Sequence, residues 1–126
     1  MEKYKNWFKK AKDDLNWTKH NLKAKVWYGT CFTSQQASEK ALKAFLIYHN
    51  KPLRKIHDVI ALLEDCIKID KDFEKIRRDL EVILPYYVET RYPIFEEFEK
   101  FTEKNAKEAY QSAKQIIEFV EKKIKR

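Results

Sequence analysis

The chain has 126 residues, enough for one domain that buries a core without disulfides or a structural metal. One glycine, three prolines and 37% charged residues argue against a β-sandwich or β-barrel, which needs many turn residues, and predict an all-α fold. No stretch approaches the roughly 18 apolar residues of a membrane span. Because the chain starts with charged residues and has no CxxC motif, we expect a cytoplasmic protein with reduced thiols and no membrane contact.

The net charge of +7 is unevenly distributed along the chain. Residues 1–55 carry thirteen Lys and Arg against four Asp and Glu, whereas residues 56–126 carry fourteen against sixteen. A strongly basic first half suits an acidic partner, which the charge alone leaves open as a nucleic acid, a nucleotide or a protein.

Apolar residues at spacings of four and three predict a first amphipathic helix over residues 3–24. A neighbouring face of this helix carries a basic stripe made of Lys5, Lys9, Lys12, Lys19 and Lys23. We favour the interpretation that this face is solvated and that its charge is balanced by acidic residues of the last helices or of a partner. Charge runs on helices usually only increase solubility. The alternative is a nucleic-acid contact, in which the lysines meet phosphates and Trp17 or Trp27 stacks on a base.

The second predicted helix covers about residues 28–49 and has polar side chains on its apolar face. At about 100° per residue, Gln35 and Glu39 share a face with Leu42, Phe45 and Leu46. Buried amides and carboxylates need specific hydrogen-bond partners, so we expect this face to be matched to polar residues elsewhere.

Two further faces of the second helix have distinct predicted roles. A small-residue stripe would let another helix approach closely and predicts a central position in a bundle; it consists of Ala37, Ala41 and Ala44. The remaining side is predicted to face solvent and carries Gln36, Lys40 and Lys43.

After a short loop, Asp58 suits the cap position of a third, shorter helix. A fourth helix is predicted from Asp72 to Arg91, with a kink or a break at Pro85 and with Leu84 on its buried face. Thr102 is predicted to cap a long last helix. The sequence thus predicts one domain over residues 1–126, an up-and-down bundle of four main helices plus a shorter fifth.

Several motifs, taken in order along nearly the whole chain, resemble the HEPN (higher eukaryote and prokaryote nucleotide-binding) domain. They are Ala11, Asp14 and Leu15, the run QQAxEKALKA from Gln35 to Ala44, the pair His57-Asp58, the triplet Arg91-Tyr92-Pro93, and the spaced alanines of the last helix. No single amphipathic pattern would generate all of these motifs together.

The resemblance implies a helical bundle, commonly a homodimer, that is often encoded beside a small nucleotidyltransferase with which it forms a two-component system. Many members are toxins or defence proteins that cut RNA without a metal, through an Arg followed after four to six residues by His. Here no histidine follows Arg91, and Arg54 precedes His57 by only three positions. We therefore expect no enzyme activity of that standard kind and assign no catalytic residue.

The strongest constellation of polar residues comprises Gln35, Glu39, His57, Asp58, Arg91 and Tyr92. In the favoured interpretation Glu39 accepts hydrogen bonds from Arg91 or His57, and the cluster holds three helices in register. In the alternative, His57 and Arg91 surround an anionic ligand such as a nucleotide phosphate, with Gln36, Lys40 and Lys43 at its edge.

Three functions follow, and the first is favoured. It is a dimeric binding module for a nucleotide, RNA or a nucleotidyltransferase, in a toxin–antitoxin-like system. The second is a metal-independent endoribonuclease with an unusual His57 and Arg91 pair. The third is a purely structural assembly module. The histidines and cysteines lack the spacing of metal ligands, so no metal and no cofactor are predicted.

Overall fold

A computed structural model describes residues 3–87 and 101–124. Its helices are α1 (Lys3–Lys23), α2 (Trp27–Tyr48), α3 (Val59–Ile69), a 3-10 helix (Lys71–Ile76), α4 (Arg77–Ile83) and α5 (Glu103–Ile124). No strand occurs within these two ranges. The predicted all-α helical bundle is therefore confirmed.

Helix α2 lies at the centre of the bundle, as its sequence predicts, and contacts α1, α3, α4 and α5. Ala37, Ala41 and Ala44 are fully buried, so the small-residue stripe lies in the core. Phe73 of the 3-10 helix packs between Phe45 of α2 and Phe119 of α5, with ring centroids 4.4 and 4.9 Å apart. Apolar burial of this kind is the main stabilising contribution to the fold.

Helices α1 and α2 form a tight antiparallel pair. The connection is short, and Lys25 turns the chain with a φ of 63°. Gly29 follows in the first turn of α2, where a Cβ would lie 3.3 Å from the Asn21 side chain of α1. Further along, Thr18 Oγ1 lies 2.7 Å from Thr33 Oγ1 in a buried contact between the helices. The close approach fixes which residues of α2 are covered by α1.

Helix starts follow the predicted caps. The Asp58 side chain accepts hydrogen bonds from the backbone N–H groups of Ile60 and Ala61, at 2.9 and 3.1 Å. Thr102 Oγ1 accepts from the N–H of Asn105 at 3.2 Å at the start of α5. Both side chains satisfy backbone donors that the first turn of a helix leaves unpaired.

The predicted fourth helix needs correction. Residues 71–76 form the 3-10 helix, and α4 begins only at Arg77 and ends at Ile83. A turn at Leu84 and Pro85 follows, so this proline coincides with a break and not with a kink in a continuous helix. Leu84 is 40% exposed, contrary to the prediction, because the helical face that would have buried it has ended. The predicted end at Arg91 and the acidic connector up to residue 100 lie outside the described residues.

None of the described helices is long and apolar enough to cross a membrane.

Candidate functional site

A buried carboxylate is the centre of the polar face of α2. Gln35 Nε2 donates to Glu39 Oε1 at 2.9 Å, and Lys43 Nζ donates to Glu39 Oε2 at 2.9 Å. His57 Nδ1 lies 3.1 Å from both oxygens. The Glu39 side chain is 7% exposed, so its charge is stabilised by these three partners and not by water. We call Gln35, Glu39, Lys43 and His57 the Glu39 cluster.

The amide of Gln35 connects this cluster to neighbouring groups. Its Nε2 lies 3.5 Å from the backbone oxygen of His57, and its Oε1 accepts from Gln36 Nε2 at 2.6 Å. Gln35 itself is fully buried. The amide therefore links α2 to the loop that precedes α3, and the predicted role of the cluster in holding helices in register stays a prediction.

His57 is the accessible member of the cluster. Its side chain is 46% exposed, and its ring stacks on that of Tyr87 with centroids 4.3 Å apart and planes at 10°. Since Nδ1 contacts Glu39, the carboxylate favours a proton on Nδ1 and leaves Nε2 as the proton acceptor of a neutral ring. A carboxylate that orients an imidazole in this way is an arrangement used for proton transfer and for hydrogen bonding to anions.

The formal charges of the cluster depend on His57 alone. Glu39 and Lys43 form an ion pair, so the cluster is neutral with a neutral imidazole and carries one positive charge with an imidazolium. An anion is thus attracted to the His57 edge when the ring is protonated. Lys43 contributes little to this attraction, because its charge is balanced by Glu39.

The prediction that Lys43 faces solvent on α2 is wrong. This residue is 6% exposed, and its Nζ lies 5.7 Å from the centroid of the Trp7 ring of α1. Lys40 is also engaged, with Nζ 2.5 Å from Asp14 Oδ2 of α1 and a side chain that is 26% exposed. Because α1 packs along this side of α2, Lys40 reaches a carboxylate of α1 and Lys43 is covered by the Trp7 ring.

The other predicted cluster members have different positions. The Asp58 carboxylate caps α3, as described above, and is not part of the Glu39 cluster. Arg91 and Tyr92 lie outside the described residues, so a contact of either residue with Glu39 or His57 stays a prediction. Gln36 is half-buried and donates a hydrogen bond to Gln35.

The basic stripe of α1 is exposed to solvent at Lys9 and Lys12, the two stripe positions for which the structure describes an ion-pair partner. Lys9 pairs with Asp13 at 3.2 Å, and Lys12 pairs with Glu121 of α5 at 3.5 Å; the lysine side chains are 76% and 55% exposed. Such pairs contribute little to stability. Lys5, Lys9 and Lys12 also line a groove of about 630 Å³ between α1, α2 and α5, while Lys19 and Lys23 are exposed near the end of α1.

Neither metal ligation nor thiol chemistry finds support in the described part of the chain. Within residues 3–87 and 101–124, no group of three or more His, Cys, Asp and Glu side chains is arranged to hold a metal ion. Cys31 and Cys66 are buried and not disulfide-bonded. Burial raises the pKa of the Cys66 thiol far above its usual range, which keeps this sulfur protonated and unreactive.

Two aromatic residues near the site were not predicted. Tyr87 lies within the range of the predicted fourth helix, and no sequence signal marks its stacking on His57. Trp7 received no role, although it adjoins Phe8 on the apolar side of α1 and its ring meets Lys43. Both contacts join parts of the chain that are far apart in sequence.

Comparisons with known proteins agree with the resemblance in the motifs. The Methanocaldococcus jannaschii protein named "Putative toxin MJ1304" is 28% identical over 96% of this chain and 88% of its own length. The crystal structure of TT1696 from Thermus thermophilus has a TM-score of 0.83 and 26% identity, covering 98% of this chain and 99% of that one. ST0689, described as an archaeal HEPN homologue, has a TM-score of 0.80, 26% identity and the same coverage. A family model described as HEPN domain matches residues 4–123. The chain belongs to the HEPN domain family.

Proposed function

We propose that this chain is the HEPN component of a toxin–antitoxin-like system and that it binds RNA or a nucleotide at the exposed edge of His57. The observation that carries the proposal is the Glu39–His57 contact, in which a buried carboxylate holds the imidazole by Nδ1 while nearly half of the side chain stays exposed. The name of the Methanocaldococcus jannaschii relative supports the toxin-like role. We propose a cytoplasmic location, in keeping with two buried cysteines that are not disulfide-bonded.

The chemistry of the His57 edge suits a phosphate. An imidazolium held by Glu39 donates its Nε2 proton outward, and a hydrogen bond from a charged donor to a phosphate oxygen is roughly twice as strong as a neutral one. The stacked Tyr87 ring fixes the imidazole plane, so the donor direction is set before the ligand arrives. Preorganisation of this kind lowers the entropy loss of binding.

Dimerisation and a nucleotidyltransferase partner are part of the same proposal. Trp17 is 55% exposed on α1, and large exposed aromatic side chains are enriched at protein interfaces. Light scattering tests the homodimer, for which we expect twice the mass of the 15.3 kDa chain. Co-purification with the product of a neighbouring nucleotidyltransferase gene tests the partner, and a chain that elutes alone as a monomer contradicts both parts.

The binding proposal is tested with a fluorescently labelled single-stranded RNA at pH 6.5 and low salt. We expect His57→Ala to weaken binding at least tenfold, which corresponds to about 1.4 kcal/mol. His20→Ala is the matched control, because His20 is exposed on α1 and absent from the Glu39 cluster. Equal affinities of the wild type and His57→Ala, with both proteins folded by circular dichroism, would contradict the proposal.

A metal-independent endoribonuclease is the second candidate, because a carboxylate-held imidazole is also suited to act as a general acid or base. The test is incubation of RNA with the protein in EDTA. Cleavage that is lost in both His57→Ala and Arg91→Ala identifies an enzyme. RNA binding without cleavage supports the binding module, and the absence of both supports a purely structural assembly module.

A further inference from the structure

A cationic hollow that contains a tryptophan lies next to the Glu39 cluster, at the end of the bundle where α1 begins and α2 ends. Its volume is about 310 Å³. It is lined by Lys3, Asn6, Trp7, Ile47, Lys51, Pro52 and Leu53. We call it the Trp7 hollow. It does not share a lining residue with the wider groove on the other side of α1.

Lys43 connects the hollow to the cluster. Its Nζ lies 2.9 Å from Glu39 Oε2 and 5.7 Å from the centroid of the Trp7 ring. Gln35, Glu39, Lys43 and Ile47 follow one another at spacings of four residues, which places them in one row along α2. At 1.5 Å per residue the row is about 18 Å long. Because Lys43 contacts both Glu39 and Trp7, the Trp7 hollow and the Glu39 cluster are neighbours in the bundle.

The charge of the hollow favours phosphate. Lys3 and Lys51 are exposed, and no acidic residue is among the lining side chains. In the part of the chain that the structure describes, neither ammonium has a carboxylate within ion-pair distance, whereas Lys9 and Lys12 of the wider groove are both paired. Two ammonium groups without a carboxylate partner attract the phosphates of a nucleic acid and release their counterions on binding.

The shape of the hollow favours one base of a longer strand. Its volume is at the lower limit of the roughly 300–1,000 Å³ of sites that enclose small ligands. The half-buried Trp7 provides an indole for stacking, beside Leu53, which is 43% exposed. Beyond Pro52 a second hollow of about 260 Å³ shares Lys51 and adds Lys68 and the Arg54–Asp65 ion pair, so its lining carries a net positive charge.

We propose that the Trp7 hollow is a subsite for single-stranded RNA, in which one base stacks on Trp7 and the adjacent phosphates contact Lys3 and Lys51. The inference rests on the proposed function, since the same strand is proposed to contact the His57 edge. Base stacking on an indole accepts any sequence, because every base has a π-face. The subsite therefore adds affinity for a strand without selecting its sequence.

The test compares two charge-matched double variants with a labelled RNA hexamer. We expect Lys3→Gln/Lys51→Gln to bind at least tenfold more weakly than the wild type and to lower the salt slope, log Kd against log salt, by about 1.4 for two lost phosphate contacts. Lys9→Gln/Lys12→Gln removes the same charge from the wider groove and is expected to stay within threefold of the wild type. Equal losses in the two double variants would show general charge attraction and overturn the subsite.

Trp7 gives a second readout that does not depend on charge. In Trp17→Phe/Trp27→Phe, Trp7 is the sole tryptophan, and we expect RNA to quench its fluorescence. An unchanged emission spectrum at saturating RNA overturns the stacking. Adenosine monophosphate serves as the competitor of the labelled hexamer. If it displaces the hexamer when the two are present at equal concentrations, the hollow is a site for a free nucleotide and not for a strand.

The outcomes separate this inference from the proposed function. RNA binding that is weakened by His57→Ala but not by Lys3→Gln/Lys51→Gln overturns the Trp7 subsite and keeps the His57 site. A wild-type protein that does not bind RNA overturns the RNA-binding proposal, and the subsite with it.

Discussion

Replacement of Glu39 by glutamine tests whether the cluster is a buried ionic contact. The carboxylate accepts from Gln35, Lys43 and His57, and the side chains of Glu39 and Lys43 are each only 7% exposed. Glu39→Gln keeps the size of the side chain but removes the charge. Its new NH₂ group is a donor that faces three other donors. The Lys43 ammonium is then left buried without a counter-charge.

The expected loss of stability follows from that unpaired ammonium. Removal of one partner of a buried ion pair costs about 3–5 kcal/mol. We take the lower end, about 3 kcal/mol, because His57 is half-exposed and can turn toward water. In the double variant Glu39→Gln/Lys43→Met the ammonium is also gone, and we expect a loss of about 1 kcal/mol relative to the wild type, since replacement of both partners is often near neutral.

The assay is urea unfolding followed by circular dichroism at pH 7, with the free energy extrapolated to water. The single variants Glu39→Gln and Lys43→Met and the double variant form a double-mutant cycle, which isolates the coupling energy between Glu39 and Lys43. A loss below about 0.5 kcal/mol in Glu39→Gln, typical of a surface position, would refute the reasoning. A double variant that is less stable than Glu39→Gln alone would also refute the reasoning.

Further predictions concern the frame around the site. Lys123 holds the pKa of Asp72 below its usual range through a hydrogen bond and its charge. Stability from this contact is present above the ordinary Asp pKa and is lost as pH falls through the lowered one. We therefore expect Lys123→Gln to be less stable than the wild type at pH 7, and we expect urea unfolding to show that the difference shrinks as pH is lowered. Cys31 and Cys66 are expected to react with Ellman's reagent only after denaturation, because both are buried; rapid labelling of the native protein would contradict this. Asp58→Ala is expected to cost about 1 kcal/mol through the lost cap of α3, and an unchanged urea midpoint would refute the cap.

Periodicity and caps were sufficient to predict most of the helical frame. Asp58 and Thr102 mark helix starts because they satisfy backbone donors locally, without help from distant residues. Pro85 marked an interruption for the same local reason. The start of α4 was harder to predict, since residues 71–76 keep an apolar spacing compatible with a helix but adopt the tighter 3-10 geometry.

The partners within the site were only partly predictable. A polar face on α2 indicated that Glu39 must be satisfied, and His57 was one of two named partners. The ion pair with Lys43 was missed, although an i,i+4 spacing permits it and Lys43 lies only about 40° around the helix from Glu39. Periodicity alone did not show that α1 covers this side, because the Trp7 and Asp14 contacts depend on how the two helices pack.

The most direct test of the central claim is NMR of the protein with ¹⁵N-labelled histidine during titration with single-stranded RNA. The chain has three histidines, His20, His49 and His57, so we expect three sets of ring signals. We predict that the Nε2 signal of His57 shifts with saturation while the ring signals of His20 and His49 stay in place. Shifts confined to His20 or His49, or no shift in any ring at saturating RNA, would contradict the account.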